Sequence, residues 1–172
     1  MDTFIETYIS TVNKNNVITI DIGTSISDAI FINKHTYNTI QNILEHLTPK
    51  KNVTISKPIL VKIYRNNNTV FNIYNNKIIN YSYTTTDTVH TRYNHIDCKL
   101  IYMNINTKPT LQSNFQYNVI EEKEEINIQY KNYFSIILTK YPNQSYGCSI
   151  KIIKPIEKNI LLENITYILE LF

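Results

Sequence analysis

Glycine occurs only twice in this 172-residue chain, at Gly23 and Gly147. That scarcity excludes a good deal of chemistry. A phosphate-cradling loop and a dinucleotide-binding turn both need several glycines at fixed spacing, and neither pattern can be written here. The nucleophile elbow of the α/β-hydrolases needs glycines around its serine and is absent too. Arginine is nearly missing, with Arg65 and Arg92 alone. Arginine is the preferred bidentate partner of phosphate, so a phosphate site here must lean on lysine. The net charge of +3 is mild and is not gathered into a basic stripe of the kind that grips nucleic acid. Cys98 and Cys148 are two and far apart, which fits reduced structural thiols and not a disulfide framework. His35, His46, His90 and His95 are scattered, none at zinc-ligand spacing with the cysteines. No apolar run approaches the roughly 18 residues of a membrane span. The polar, acidic Met1-Asp-Thr-Phe-Ile-Glu-Thr7 is unlike a secretory signal. These features predict a cytoplasmic or nuclear protein with no membrane partner.

What is present is ordinary in amount and odd in kind. Hydrophobic residues make up 42%, which suits a globular protein, and the length suits a single domain over 1–172 with one core. Ile, Asn, Tyr and Lys dominate while Ala is scarce and Trp absent. These residues share AT-rich codons, so the bias points to an AT-rich genome, as in some viruses, linear plasmids and parasites. The asparagines do not form a prion-like tract, because apolar residues interrupt them with strand-like regularity.

Two helices are predicted. In Asp2–Val12, Phe4, Ile5, Tyr8, Ile9 and Val12 fall near a 3.6-residue period. In Asn33–Leu47, Asn33 can cap, Tyr37, Ile40, Ile43, Leu44 and Leu47 form one stripe, and Thr48-Pro49 ends it. Strands are predicted at Val17–Ile22, Ile59–Tyr64, Thr69–Tyr74, Lys77–Tyr83, Asp97–Met103, Asn114–Ile120, Ile126–Leu138, Gly147–Lys154 and Thr166–Phe172. Asn66-Asn-Asn68 and Asn75-Asn76 read as hairpin turns. His90 and His95 flank what reads as a polar loop. The predicted class is α+β, mostly β. It is an antiparallel tunnel-like barrel of about eight or nine strands from about residue 16 onward, with one or two helices near the N-terminus. A β-sandwich is the competing architecture.

Three features bear on chemistry. The run Glu121-Glu-Lys-Glu-Glu125 is either a solvated turn or a carboxylate cluster for a hard cation such as Mg²⁺ or Mn²⁺. Lys131, within Tyr130-Lys-Asn-Tyr-Phe-Ser135, is either a solvent-facing charge or a phosphate contact. In Tyr167-Ile-Leu-Glu-Leu-Phe172, read as a strand, Glu170 shares a face with Ile168 and Phe172. It is then a solvent-side charge or a ligand in a closed cavity.

The order of these segments resembles the triphosphate tunnel metalloenzyme family, in its fungal and large-DNA-virus RNA 5′-triphosphatase branch. The likeness runs from about Asn16 to Phe172. It rests on Val17-Ile-Thr-Ile-Asp-Ile-Gly23 followed by the helix to Leu47, on Asn67–Ile73 with Lys77–Tyr81, and on Phe115–Glu125 with Tyr130–Ser135. It rests also on Gly147-Cys-Ser-Ile-Lys-Ile-Ile-Lys154 and on Tyr167–Phe172. The resemblance implies a closed antiparallel barrel whose interior holds Mg²⁺ or Mn²⁺ on glutamates and triphosphate on bases. It implies removal of the γ-phosphate from RNA 5′ ends before capping. On the same footing it implies metal ligands at Glu170 and Glu122, with Glu170 the catalytic candidate, and phosphate contacts at Lys131 and Lys154.

The departures are severe. Val17 and Thr19 stand where the family has its first glutamates, and Asp21 and Val70 where it has arginines. Asn132 and Tyr133 replace bases, Ser149 replaces an acid, and Ile168 and Phe172 replace two final acids. A triphosphate needs several cations or bases to neutralise it in the transition state. The expected function is therefore a degenerate tunnel barrel, weak or inactive. It would serve as a structural or interaction subunit of a capping, transcription or virion complex, in the host cytoplasm or virion if viral. The alternatives are an active metal-dependent triphosphatase acting on RNA 5′ ends or nucleoside triphosphates with a reduced metal site, and an unrelated β-sandwich interaction or minor virion protein.

Overall fold

The computed structural model describes residues 1–47, 53–66, 69–74, 77–79, 82–106, 118–130 and 132–172. The chain opens with helix α1 (Asp2–Tyr8), which tightens into a 3₁₀ turn (Ile9–Thr11). Strand β1 (Asn16–Ile26), β2 (Ala29–Phe31) and helix α2 (Lys34–Leu47) follow. Next come β3 (Val53–Ile55), β4 (Ile59–Asn66), β5 (Thr69–Tyr74), β6 (Lys77–Ile79) and β7 (Ser82–Tyr93). The chain continues through β8 (Ile96–Asn106), β9 (Asn118–Tyr130), β10 (Phe134–Lys140) and β11 (Tyr146–Ile152) to helix α3 (Lys158–Leu169).

All eleven strands belong to one sheet, in the order β6-β5-β4-β9-β10-β11-β1-β8-β7, with β2 on β1 and β3 on β9. Each ladder is antiparallel. The sheet curls until β5 and β7, from opposite ends of the order, have Cα atoms within 8 Å of one another. No ladder joins them among the described residues. This is a tunnel-like barrel that stops short of strict closure, and not two packed sheets.

The hydrophobic core lies outside the barrel. Along β1, Ile18, Ile20 and Ile22 are fully buried on the convex face, beside Cys98, Leu100 and Tyr102 of β8 and Cys148, Ile150 and Ile152 of β11. Phe134, Ile136 and Leu138 of β10 and Ile126 and Ile128 of β9 continue that face. The three helices cover it. Phe4, Ile5 and Ile9 come from the first, Tyr37, Ile40 and Leu44 from the second, and Leu161, Ile165, Ile168 and Leu169 from the third. Each such side chain contributes about 1.5–3 kcal/mol relative to exposure. Polar contacts fix the helix positions. Tyr8 stacks on Tyr102 at 4.2 Å and donates to Asp87 at 2.8 Å, while Lys158 pairs with Glu6 at 3.0 Å. Burial in this core pushes the Cys98 and Cys148 thiols up to about 11 and about 12, so both are inert.

Four expectations need correction. Thr166–Phe172 is not a strand: its first part closes α3, because Leu161, Ile165, Ile168 and Leu169 repeat with helical period, and Glu170–Phe172 follow as a turn. Ile126–Leu138 is not one strand but two, broken at a turn where Asn132 takes φ 66°. The polar segment between His90 and His95 is mostly strand: Thr91–Tyr93 belong to β7, an edge strand whose threonines suit a solvated ladder, and the turn is Asn94-His95. Glu121–Glu125 is not a turn but the middle of β9. The turns at 67–68 and 75–76, the helix stop at Thr48-Pro49, and residues 114–117 of one predicted strand lie outside the described residues. The Asn33 cap is present: the Thr36 N–H donates to its side-chain oxygen at 2.8 Å.

Candidate functional site

Strand alternation that sends isoleucines to the helices sends polar residues into the tunnel. On β1 these are Thr19 and Asp21, and on β11 Ser149 and Lys151. From β10 come Ser135 and Thr139, and from β9 Glu121, Lys123 and Glu125. Lys99 of β8 lies directly across from Asp21. One part of the interior is apolar instead. Val17 and Val61 are each 1% exposed and stand outside the helix-covered core. Val17 occupies a position where the family resemblance implies an acid, and there the tunnel is filled.

The charges inside are matched among themselves. The Lys123 ammonium lies 3.1 Å from Glu125 and 3.5 Å from Glu121. Burial alone would lower its pKa, yet Glu125, Tyr141 and Glu121 outweigh that and hold it above the usual lysine value. Lys151 is shifted the other way, because burial exceeds the support of Glu125. Burial raises the Asp21 carboxyl above its ordinary value, opposed by Ser149, which donates to it at 2.7 Å, and by Lys99 and Lys123. Tyr141, over the same surface, is also raised by burial.

Among the described residues, Glu170, Glu122 and Lys154 do not converge. Glu170 caps the C-terminal end of α3, on a helix and not a strand, and is exposed. Glu122 alternates with Lys123 on β9 and is exposed on the outer side. Lys154 is exposed in the bend after β11. Lys131 lies outside the described residues. The inward residues that the sequence reading passed over are Lys123, Lys151 and Asp21. Period-2 counting from the isoleucines of β9 and β11 would have found the two lysines, because each is one step out of phase with its core-facing neighbours.

A divalent metal of the kind the fold family implies calls for several convergent carboxylates. Among the described residues no three His, Cys, Asp or Glu side chains come together for such an ion. Glu121 and Glu125 both turn to Lys123, and Asp21 turns to Ser149. The donor set among the described residues does not fit the metal.

The fold defined by this curled sheet and its helix-covered outer face is that of RNA triphosphatases. The S. pombe Pct1 RNA triphosphatase, solved in complex with the Spt5 CTD, superposes with a TM-score of 0.68 at 8% identity, over 89% of this chain and 78% of that one. The mimivirus capping-enzyme triphosphatase superposes with a TM-score of 0.62 at 11% identity, over 98% of this chain and 96% of that one. At such identities the likeness concerns the fold. The sequence itself matches no protein-family model and no curated protein. Among the described residues no helix is long and apolar enough to cross a membrane.

Proposed function

We propose that this chain is a non-hydrolytic protein of the RNA-triphosphatase fold, serving as a structural or interaction subunit of a capping, transcription or virion assembly. One observation carries the reading: Lys123 sits between Glu121 and Glu125 and pairs with both of these tunnel acids from within. In a metal-dependent phosphoryl transfer those charges would be left for the cation and its phosphate. Here an ammonium takes the place between the two acids, Asp21 is tied to Ser149, and Val17 fills part of the interior. A partner role is in keeping with the S. pombe protein, which is seen with the Spt5 CTD bound. The helix-covered face gives such a subunit a stable body independent of the tunnel contents.

The test is release of phosphate from triphosphate-ended RNA and from nucleoside triphosphates with Mg²⁺ or Mn²⁺. The expected result is no release above a protein-free control. Metal-dependent release that Glu125→Gln abolishes and Glu170→Ala leaves intact would establish an active tunnel in its place.

A further inference from the structure

On α3 the side turned away from the core carries a pattern of its own. Leu161, Ile165, Ile168 and Leu169 are buried, while Ile160 and Tyr167 on the other side are 41% and 39% exposed. Ile160, Glu163, Tyr167 and Glu170 follow one another at steps of three, four and three residues. That is the spacing of a coiled-coil seam, which keeps successive positions in line toward one partner helix. Apolar and acidic side chains alternate along it. The seam runs about 15 Å, or roughly three turns. Beside it lies an open groove of about 550 Å³, lined by Asn159, Leu162, Glu163, Thr166, Tyr167 and Glu170. Leu162 is half-buried against the core and gives the groove an apolar side.

The charges on this face are not matched within the protein. Glu163 and Glu170 are exposed and form no ion pair among the described residues. The two ends of α3 differ in this respect. In the first turn Lys158 is held by Glu6 of α1 at 3.0 Å. At the other end Glu170 stands at the cap position, and no basic residue lies in the last turn. The final carbonyls of a helix already carry partial negative charge, so a carboxylate there is unfavourable until a cation meets it.

Charge therefore selects the occupant of the groove. Nucleic-acid backbones and anionic membrane surfaces carry the wrong sign. A second copy of this helix offers one lysine, Lys158, which is already paired with Glu6. We infer that this face docks an amphipathic helix of a partner protein, with Lys or Arg opposite Glu163 and Glu170 and apolar side chains opposite Ile160 and Tyr167. A helix laid in a groove is recognised through anchors three, four and seven residues apart, which is the spacing α3 presents. Two exposed ion pairs and two apolar contacts make such docking reversible. The site lies on the outside of the barrel, so it stands whether or not the tunnel hydrolyses anything.

The test uses a helical peptide that alternates leucine and lysine along one face at the same three-and-four spacing and is cross-linked on its far face. A second peptide has glutamate for each lysine. Each is titrated into the intact protein and followed by amide NMR. The lysine peptide should shift the α3 signals saturably at one-to-one stoichiometry, and the glutamate peptide should not. Glu163→Lys combined with Glu170→Lys should weaken the lysine peptide about tenfold or more and let the glutamate peptide bind, since two attractions become two repulsions. Glu45→Lys, a charge reversal at an exposed position of α2, should leave the affinity as it is. The substituted positions are all exposed, and the spectra of the free variants establish that they are folded. No saturable shift with the lysine peptide would overturn the proposal. So would equal binding of both peptides, or equal weakening by Glu45→Lys. Self-association of the parent that Glu163→Lys abolishes would overturn it as well, by placing a second copy in the groove.

Discussion

The two faces of the same strands follow opposite rules. On β1, Ile18, Ile20 and Ile22 are fully buried under helices, while one residue away Thr19 and Asp21 face the tunnel. On β11, Ile150 and Ile152 belong to the core while Ser149 and Lys151 lie inside the barrel. The convex face stabilises the protein by removing hydrocarbon from water. The concave face buries charge, which costs free energy unless it is paired. The difference separates two properties that are easily confused: the outer face keeps the fold, and the inner face decides what the fold does.

The comparison can be broken most forcefully from outside. Ile150→Ala, in the helix-covered core, should cost about 2–5 kcal/mol in chemical denaturation, the range for a large-to-small core change. A loss below 1 kcal/mol would mean that the core is not where the stability resides. Next is Lys123→Met, which leaves Glu121 and Glu125 facing each other without their ammonium. Breaking a fully buried pair costs about 3–5 kcal/mol, and partial exposure here reduces that to about 1–3 kcal/mol. Adding Glu121→Gln and Glu125→Gln to the same chain should return most of the loss. No recovery would mean that packing, not charge, sets the value of Lys123.

Smaller effects sharpen the picture. Burial raises the Asp21 carboxyl above 3.8, so the native state holds that proton more tightly than the unfolded chain. The stability this group contributes is full below 3.8 and is lost as pH rises through the raised value. Asp21→Asn should therefore be more stable than the parent at neutral pH, with the gap closing as pH falls toward 3.8. Thermal melts from pH 3 to pH 7 measure it, and a gap that widens in acid would contradict it. The smallest effect belongs to Glu170→Ala. An exposed helix-end carboxylate should change stability by no more than about 0.5 kcal/mol.

How far the sequence reveals this protein differs between the faces as well. The tunnel-like barrel and both N-terminal helices were legible, because Ile alternation in β1 and β11 and the Tyr37–Leu44 stripe are strong periodic signals. The C-terminal helix was misread because Tyr167-Ile-Leu-Glu-Leu-Phe172 fits a two-residue period when taken alone. Only the preceding Leu161 and Ile165 reveal the longer one. The polar β7 carried no hydrophobic alternation at all, since as an edge strand it has no face committed to the core. The inner face was hardest. Lys123 looked like one charge in a solvated run, and only pairing with β10 and β4 turns it inward between its acids.

The most direct test of the central claim is a manganese titration followed by electron paramagnetic resonance, on the parent chain and on Lys123→Met. If the tunnel acids are already neutralised from within, the parent should leave Mn²⁺ free. The variant, with Glu121 and Glu125 released, should take up one ion in a saturable way. Saturable uptake by the parent, lost with Glu125→Gln, would contradict the account and return the tunnel to metal chemistry.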